Sequence, residues 1–255
     1  MLNRVNMFTK KHKIPSGSKE SRVIRPGRGR PRGATQQGVE TRRRLYEAAL
    51  QLIEIHGYEA TTLRDVAKSA GVSVGLLYKY FPSKRAVVLS LYDTLSAEYA
   101  GRGTQMDSGK WRDRFLFALQ ASLDVLRPHR KTLLSLIPVL VGDPDEGLFA
   151  SGTAFSRIRV QKVFQNAVLG ASDAPPGNVG EALGRLLYML HLTVILLWLL
   201  DKSPRQRATT AFVALLRKTL TAFSVALRLP PIRSIVCSAG NVFHEAILTD
   251  DYPRG

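Results

Sequence analysis

An all-α fold, with an N-terminal helix-turn-helix domain of three helices and a larger helical domain after it, follows from three observations. Between Val39 and about Arg228 the apolar residues recur at helical spacing, and no run alternates as a half-buried strand does. Gly- and Pro-rich breaks cut that stretch into helix-sized pieces. One piece, residues 60–84 (ATTLRDVAKSAGVSVGLLYKYFPSK), reads as two short helices joined by a tight turn.

The elements follow in order. Leu45, Ala48, Ala49, Leu52, Ile53 and His56 share one face of a first helix, and Gly57 stands where a left-handed residue ends it. A second helix, about 62–69, is capped by Thr61 or Thr62, with Thr62-x-x-Asp65 as an imperfect capping box. Gly71 makes the next break, because a turn there needs a backbone that a side chain would strain. A third helix covers about 74–80 and stops at Phe81-Pro82-Ser83; a fourth starts at Ser83 or Lys84 and runs to about Ala100. Small Ala67 lets the second and third helices cross closely, with Val72 and Leu76 or Leu77 fixing the crossing.

Beyond the break at 101–110, helices are predicted over Trp111–Leu126, Pro128–Val141, Ala154–Leu169, Gly180–Leu200 and Ser203–Leu229, with Pro138 kinking or shortening the second of them. The run Leu186–Leu200 (LLYMLHLTVILLWLL) is the most apolar part of the chain. Its 15 residues fall short of the ~18–20 that cross a bilayer, so it is read as a buried helix, with no membrane partner. With Ala211–Leu227 beside it, it is assigned to a dimer seam, an internal core being the alternative. From Pro230 to Gly255 no period is sustained, and the tail is expected to be disordered or loosely docked.

The 255 residues hold 37 Lys+Arg against 20 Asp+Glu, a net charge of +17, which suggests an anionic partner: nucleic acid, a membrane surface or an acidic protein. Ten of those cations and a single acid, Glu20, lie in residues 1–38. That segment is rich in Gly, Pro, Ser and Arg and cannot bury enough apolar surface to offset the entropy of ordering, so it is expected to be a disordered arm. Within it Arg28-Gly29-Arg30-Pro31 resembles an AT-hook, whose arginines enter a narrow A·T-rich minor groove. The alternative is a basic tail touching phosphates through Arg28 and Arg30 without base preference.

Catalytic and metal chemistry finds little support. The lone Cys237 excludes an internal disulfide framework and a cysteine zinc site, and fits a cytoplasmic, reducing compartment. The start of the chain has no apolar signal-peptide core. The five histidines are scattered, with no H-E-x-x-H, and no phosphate-cradling G-x-x-x-x-G-K-[ST] or G-x-S-x-G occurs. His191 is read as a core histidine, and Asp143, Asp145 and Glu146 as a solvated loop. No cofactor, no metal and no enzyme activity are expected; a helical enzyme is kept as the remote alternative, and a non-specific architectural DNA protein as the nearer one.

Residues 39–98 resemble the DNA-binding domain of the tetracycline-repressor (TetR) family of bacterial transcription regulators. The resemblance rests on Gly57-Tyr58-Glu59-Ala60-Thr61-Thr62, on Asp65-Val66-Ala67-x-x-Ala70-Gly71-Val72-Ser73-x-Gly75-x-Leu77-Tyr78-x-Tyr80-Phe81, and on Ser83-Lys84. Tyr80 departs from it, since the family often has His there. The resemblance implies a recognition helix from Ser73 to Tyr80, in which Ser73, Val74 and Gly75 let the backbone approach and Tyr78, Lys79 and Tyr80 project toward DNA. Thr61 and Thr62 would touch the phosphate backbone, Lys84 another phosphate, and Arg42 and Arg43, read as standing at the first helix's N-terminus with Arg44, would meet an anion there.

By the same resemblance the chain is expected to be a homodimeric, ligand-responsive repressor on a palindromic operator, with the helix-turn-helix motif at about 62–81. Residues 105–228 would hold an unknown small-molecule effector and the dimer bundle. Candidate cavity residues are Trp111, Phe115, Leu119, Leu134, Ile137, Phe155, Phe164 and Tyr188, the first three sharing one helix face.

Overall fold

The computed structural model describes residues 36–143 and 145–248; Arg28 and Arg30, and the arm as a whole up to residue 35, lie outside them. Among the described residues the chain is helical throughout, with no strand. Helices α1 (Gln36–His56), α2 (Leu63–Ser69), α3 (Val74–Tyr80) and α4 (Lys84–Gly103) build the first domain. Helices α5 (Trp111–Leu126), α6 (Arg130–Ser135), α7 (Ile137–Gly142), α8 (Ala154–Leu169), α9 (Asn178–Leu200), α10 (Arg207–Ala226) and α11 (Pro230–Phe243) build the second. Helix α4 belongs to both, since Val87 and Leu91 in its first half and Tyr99 near its end are buried in one continuous apolar core, and it packs on α5 and α8.

The first domain obeys its local signals. The Thr62 hydroxyl caps α2 by accepting from Asp65 N–H at 3.2 Å, Ser73 caps α3 through Leu76 N–H at 3.2 Å, and Ser83 caps α4 through Ala86 N–H at 3.1 Å. Gly57 and Gly71 both take positive φ, +85° and +66°. A Cβ on Gly71 would meet nothing, so the demand there is one of backbone alone. Gly71→Ala should therefore cost about 1–2 kcal/mol of stability, the left-handed penalty, with no steric addition; thermal unfolding of the variant checks this.

In the second domain Pro138 has the expected effect. Instead of one helix the chain makes two short ones, α6 and α7, that meet at Leu136. Arg130 fastens the end of α9 by donating to the carbonyls of Trp198, Leu199 and Asp201 at 2.9–3.2 Å. The turn into α10 carries two left-handed side-chain residues, Arg205 (φ 53°) and Gln206 (φ 57°). Asp201 holds it together, accepting from Ser203 N–H and O–H and from Thr209 N–H and O–H at 2.6–2.9 Å. Those donors keep its carboxyl well below the usual carboxylate range, the Ser203 hydroxyl foremost.

Three expectations need correction. First, the segment after Leu229 is not a loose tail: α11 packs along α9, with Val236 and Gly240 buried. Pro230 and Pro231 look like helix breakers but stand in the first turn of α11, where a missing N–H is harmless. Second, the expected pairing of α9 with α10 is slight, and α11 and α8 together cover much of α9. Exposed apolar residues remain at the end of α9 (Leu196, Leu200) and lie on α10 (Leu215, Val225) and α11 (Ile235, Val242). Third, α1 begins at Gln36, which puts Arg42, Arg43 and Arg44 in its second and third turns rather than at its N-terminus. Helix α9, at 23 residues, is longer than the run that identified it, and by length and composition it could cross a membrane. Here it is packed against α8 and α11, and His191 in its middle is bonded to Ser122 of α5.

Candidate nucleic-acid interface and adjoining cavity

Helix α3 is divided cleanly. Leu77 is fully buried and Val74 and Tyr80 are half-buried against the core, which fixes the helix beside α2. Ser73, Gly75, Tyr78 and Lys79 face outward, Tyr78 with 52% of its surface exposed. A Cβ on Gly75 would meet no atom within 4 Å, so nothing inside the molecule requires a glycine there. Thr62, Arg64 and Lys68 on and before α2, with Arg42 and Arg44 on α1, are also exposed.

Several residues assigned to DNA are engaged elsewhere. Thr61 is buried, its hydroxyl donating to Gly57 O at 2.8 Å, so it braces the α1–α2 corner and offers nothing to a phosphate. The Lys84 ammonium turns inward, donating to Tyr58 O (2.7 Å) and Glu59 O (3.3 Å) and lying 4.3 Å from the Tyr58 ring centroid. Two carbonyls and a ring face within reach of one ammonium explain why it ties α4 to that corner. Arg43 is paired along its own helix with Glu40 and Glu47, both at 2.7 Å. The Arg42 guanidinium donates to Ser90 Oγ at 3.0 Å and stacks 5.1 Å over Phe81, which orients it without burying it.

A cavity of about 410 Å³ opens in the second domain, a size typical of small-molecule pockets. It is walled by α4, α5, α6, α7, α8 and α9 and by the loop at 148–149. Of the eight residues named for it from sequence, Ile137 and Tyr188 line it. Trp111, Phe115, Leu119 and Phe164 are buried outside its lining: Trp111 meets Phe223 edge-on, and Phe115 meets Phe164 at 5.8 Å. Leu134 and Phe155 are 41% and 40% exposed and also lie outside it. Helical spacing told which residues share a face, but not whether that face meets a neighbour or a void.

The lining residues missed from sequence are mostly apolar, but they include the polar Tyr99, Ser122, Arg157 and His191. His191 is buried as a core histidine would be, yet it borders the void. Its Nε2 shares a hydrogen bond with Ser122 Oγ at 2.8 Å. Burial pushes its pKa down from 6.5 to about 3. Between those values the unfolded chain holds a proton that the folded chain lacks. The stabilisation is complete above about pH 6.5 and is lost as pH falls through that window, by up to about 1.4 kcal/mol per unit. Urea midpoints measured from pH 7 to pH 4 should show this slope in the wild type and lose it in His191→Gln.

The acidic loop after α7, expected to be solvated, joins the cavity to the first domain. Asp143 Oδ1 accepts from the N–H groups of Asp145 and Glu146 at 2.8 and 2.7 Å. Glu146 Oε2 accepts from Tyr58 O–H at 2.5 Å, Glu146 O from Tyr92 O–H at 3.3 Å, and Asp145 O from Arg85 at 2.8 Å. Two residues on, Leu148 and Phe149 line the cavity. Burial and the neighbouring carboxylates push the Tyr58 and Tyr92 phenols up, so both remain neutral donors. Only the run of three acids hinted at this link; the partners lie 54 to 88 positions away in sequence.

Residues 45–91 match a family model described as bacterial regulatory proteins, tetR family. Over 75 residues, 29% of this chain and 35% of the relative, the sequence is 40% identical to the HTH-type transcriptional repressor KstR of Rhodococcus jostii. Over 71 residues, 28% of this chain and 32% of the relative, it is 41% identical to the HTH-type transcriptional regulator EthR of Mycolicibacterium smegmatis. The chain thus spans 35% and 32% of the lengths of these relatives. As a fold the likeness extends further. A tetR-family transcriptional regulator from Streptomyces coelicolor superposes with a TM-score of 0.53 at 21% identity, over 84% of this chain and 99% of that one. Salmonella enterica GusR does so with a TM-score of 0.57 at 19% identity, over 74% and 98%.

Proposed function

We propose that this chain, whose residues 45–91 match the model of bacterial regulatory proteins of the tetR family, is a sequence-specific transcriptional regulator, a homodimeric repressor that a small molecule releases from DNA. The observation that carries this reading is the division of α3: Leu77 anchors the helix while Ser73, Gly75, Tyr78 and Lys79 are exposed on its outer face. Short residues at the start of that face let the backbone approach the major groove. Tyr78 and Lys79 then reach phosphates and base edges, and Arg42, Arg44 and Lys68 meet flanking phosphates, while the Thr62 hydroxyl is held by Asp65. A second copy would dock on the exposed apolar residues of α10 and α11 and set two α3 helices about 34–36 Å apart, one turn of duplex, on a palindromic operator. The protein would work in the cytoplasm, on the nucleoid.

The cavity supports the ligand-responsive part. A ligand shifts the DNA-bound population only by binding the two states unequally. Leu148 and Phe149 border the void, and the same loop grips Tyr58, Arg85 and Tyr92, so a guest that moves the loop moves the α1–α2 corner and α4.

The basic arm favours a second reading, an architectural protein that binds any duplex. Selection of bound duplexes from a random pool, with the full chain and with residues 1–38 deleted, separates the two. One palindrome enriched in both samples is the expected result. Uniform binding that vanishes with the arm would replace the repressor reading by the architectural one.

A further inference from the structure

Two residues that line the cavity each carry a buried polar atom with no hydrogen-bond partner among the described residues: Tyr99 at Oη and His191 at Nδ1. Both side chains are more than nine-tenths buried. Their rings lie almost parallel, 2° apart, with centroids 6.3 Å from one another, and Phe164 backs the imidazole at 4.7 Å. Ser122 occupies the other ring nitrogen of His191, which leaves Nδ1 as the remaining polar atom of that ring. A buried polar group without a partner is costly, so each of these atoms gains from a guest that bonds to it. Around them the wall is almost wholly apolar, with Leu95, Leu126, Leu133, Val160, Leu192 and Ile195.

Resting on the effector role proposed for this cavity, we infer that its ligand is an uncharged, largely apolar molecule carrying one hydroxyl or carbonyl oxygen, which seats between Tyr99 Oη and His191 Nδ1. A hydroxyl accepts from Tyr99 and donates to Nδ1. A carbonyl accepts from both once the imidazole carries its proton on Nδ1, with Nε2 accepting from Ser122. The neutral imidazole offers no charge to an anion. The charged group in the wall, Arg157, is turned to the loop, donating to Leu148 O at 2.8 Å and Ala150 O at 3.1 Å. A carboxylate entering here would lose its water without gaining a free cation.

Calorimetry on the full chain at pH 7 with 1-decanol, 2-decanone and decanoate tests this. The alcohol or the ketone should bind at least tenfold more tightly than decanoate. Tyr99→Phe should weaken the neutral ligand about three- to tenfold, the worth of one hydrogen bond, and leave decanoate unchanged. The same variant should melt no lower than the wild type when empty, because it removes a hydroxyl that has no partner. His191→Gln, which keeps polar atoms near that point, should retain part of the affinity that His191→Leu loses. Tighter binding of decanoate, no binding of any of the three, or a neutral ligand indifferent to Tyr99→Phe would each overturn the assignment. If the predicted pattern appears but no neutral ligand alters DNA affinity, the effector role fails while the ligand chemistry stands.

Discussion

Replacing Tyr78 and Lys79 together by alanine should lower the preference for operator over random duplex by about 100-fold or more, the scale of two lost groove contacts. The melting temperature should stay within about a degree, because both side chains are on the outer face of α3 and surface changes seldom exceed about 0.5 kcal/mol. Gly75 gives a companion result of opposite sign. A methyl group there meets open space, and alanine favours a helix over glycine by about 1 kcal/mol. Gly75→Ala should therefore stabilise the free protein while weakening DNA binding. Competition binding against random duplex and thermal unfolding, run on the same preparations, separate the two effects. Equal loss of operator and random-duplex affinity in the double variant would show that these residues supply charge and contact but no readout.

Tyr58→Phe should uncouple the two domains. The phenol donates to Glu146 from the corner between α1 and α2, and a charged acceptor makes this one of the stronger links across the boundary. Coupling between sites in regulated proteins is typically about 1–3 kcal/mol. The ratio of DNA affinities with and without effector should fall about tenfold in the variant, and each affinity measured alone should change much less. Glu146→Gln keeps an acceptor oxygen at the same place and should retain more of the coupling than Tyr58→Phe. Full coupling in both variants would move the route to another contact, such as Lys131 with Glu54 at 3.1 Å.

What could be read from the sequence is what short-range chemistry decides. The hydroxyls of Thr62, Ser73 and Ser83 cap helices from three residues away, and Gly57 and Gly71 take their φ from the turn they make. The inward set Val66, Ala67, Leu77 and Phe81 follows from helical period alone. Lys84 shows where that logic ends: its charge and position suit a phosphate, but its ammonium lies on carbonyls 25 and 26 residues earlier. Thr61 and Arg43 were misread for the same reason, one by a buried backbone acceptor and the other by two glutamates on its own helix. The cavity was least legible. Its polar members Tyr99, Ser122 and His191 come from three helices, and nothing local distinguishes a tyrosine beside a void from one beside a leucine.

Gly240 rests so close to α9 that a Cβ there would stand 2.7 Å from the Ala182 Cβ. At that distance the last helix is keyed to its neighbour and cannot turn or slide without a backbone collision. An expression clone trimmed at Leu229, where composition suggests that the ordered protein stops, would therefore amputate a wall and leave a greasy flank bare, and insolubility would be its natural fate. Purification handles belong beyond Leu248, and any larger side chain at position 240 should behave like a partial amputation.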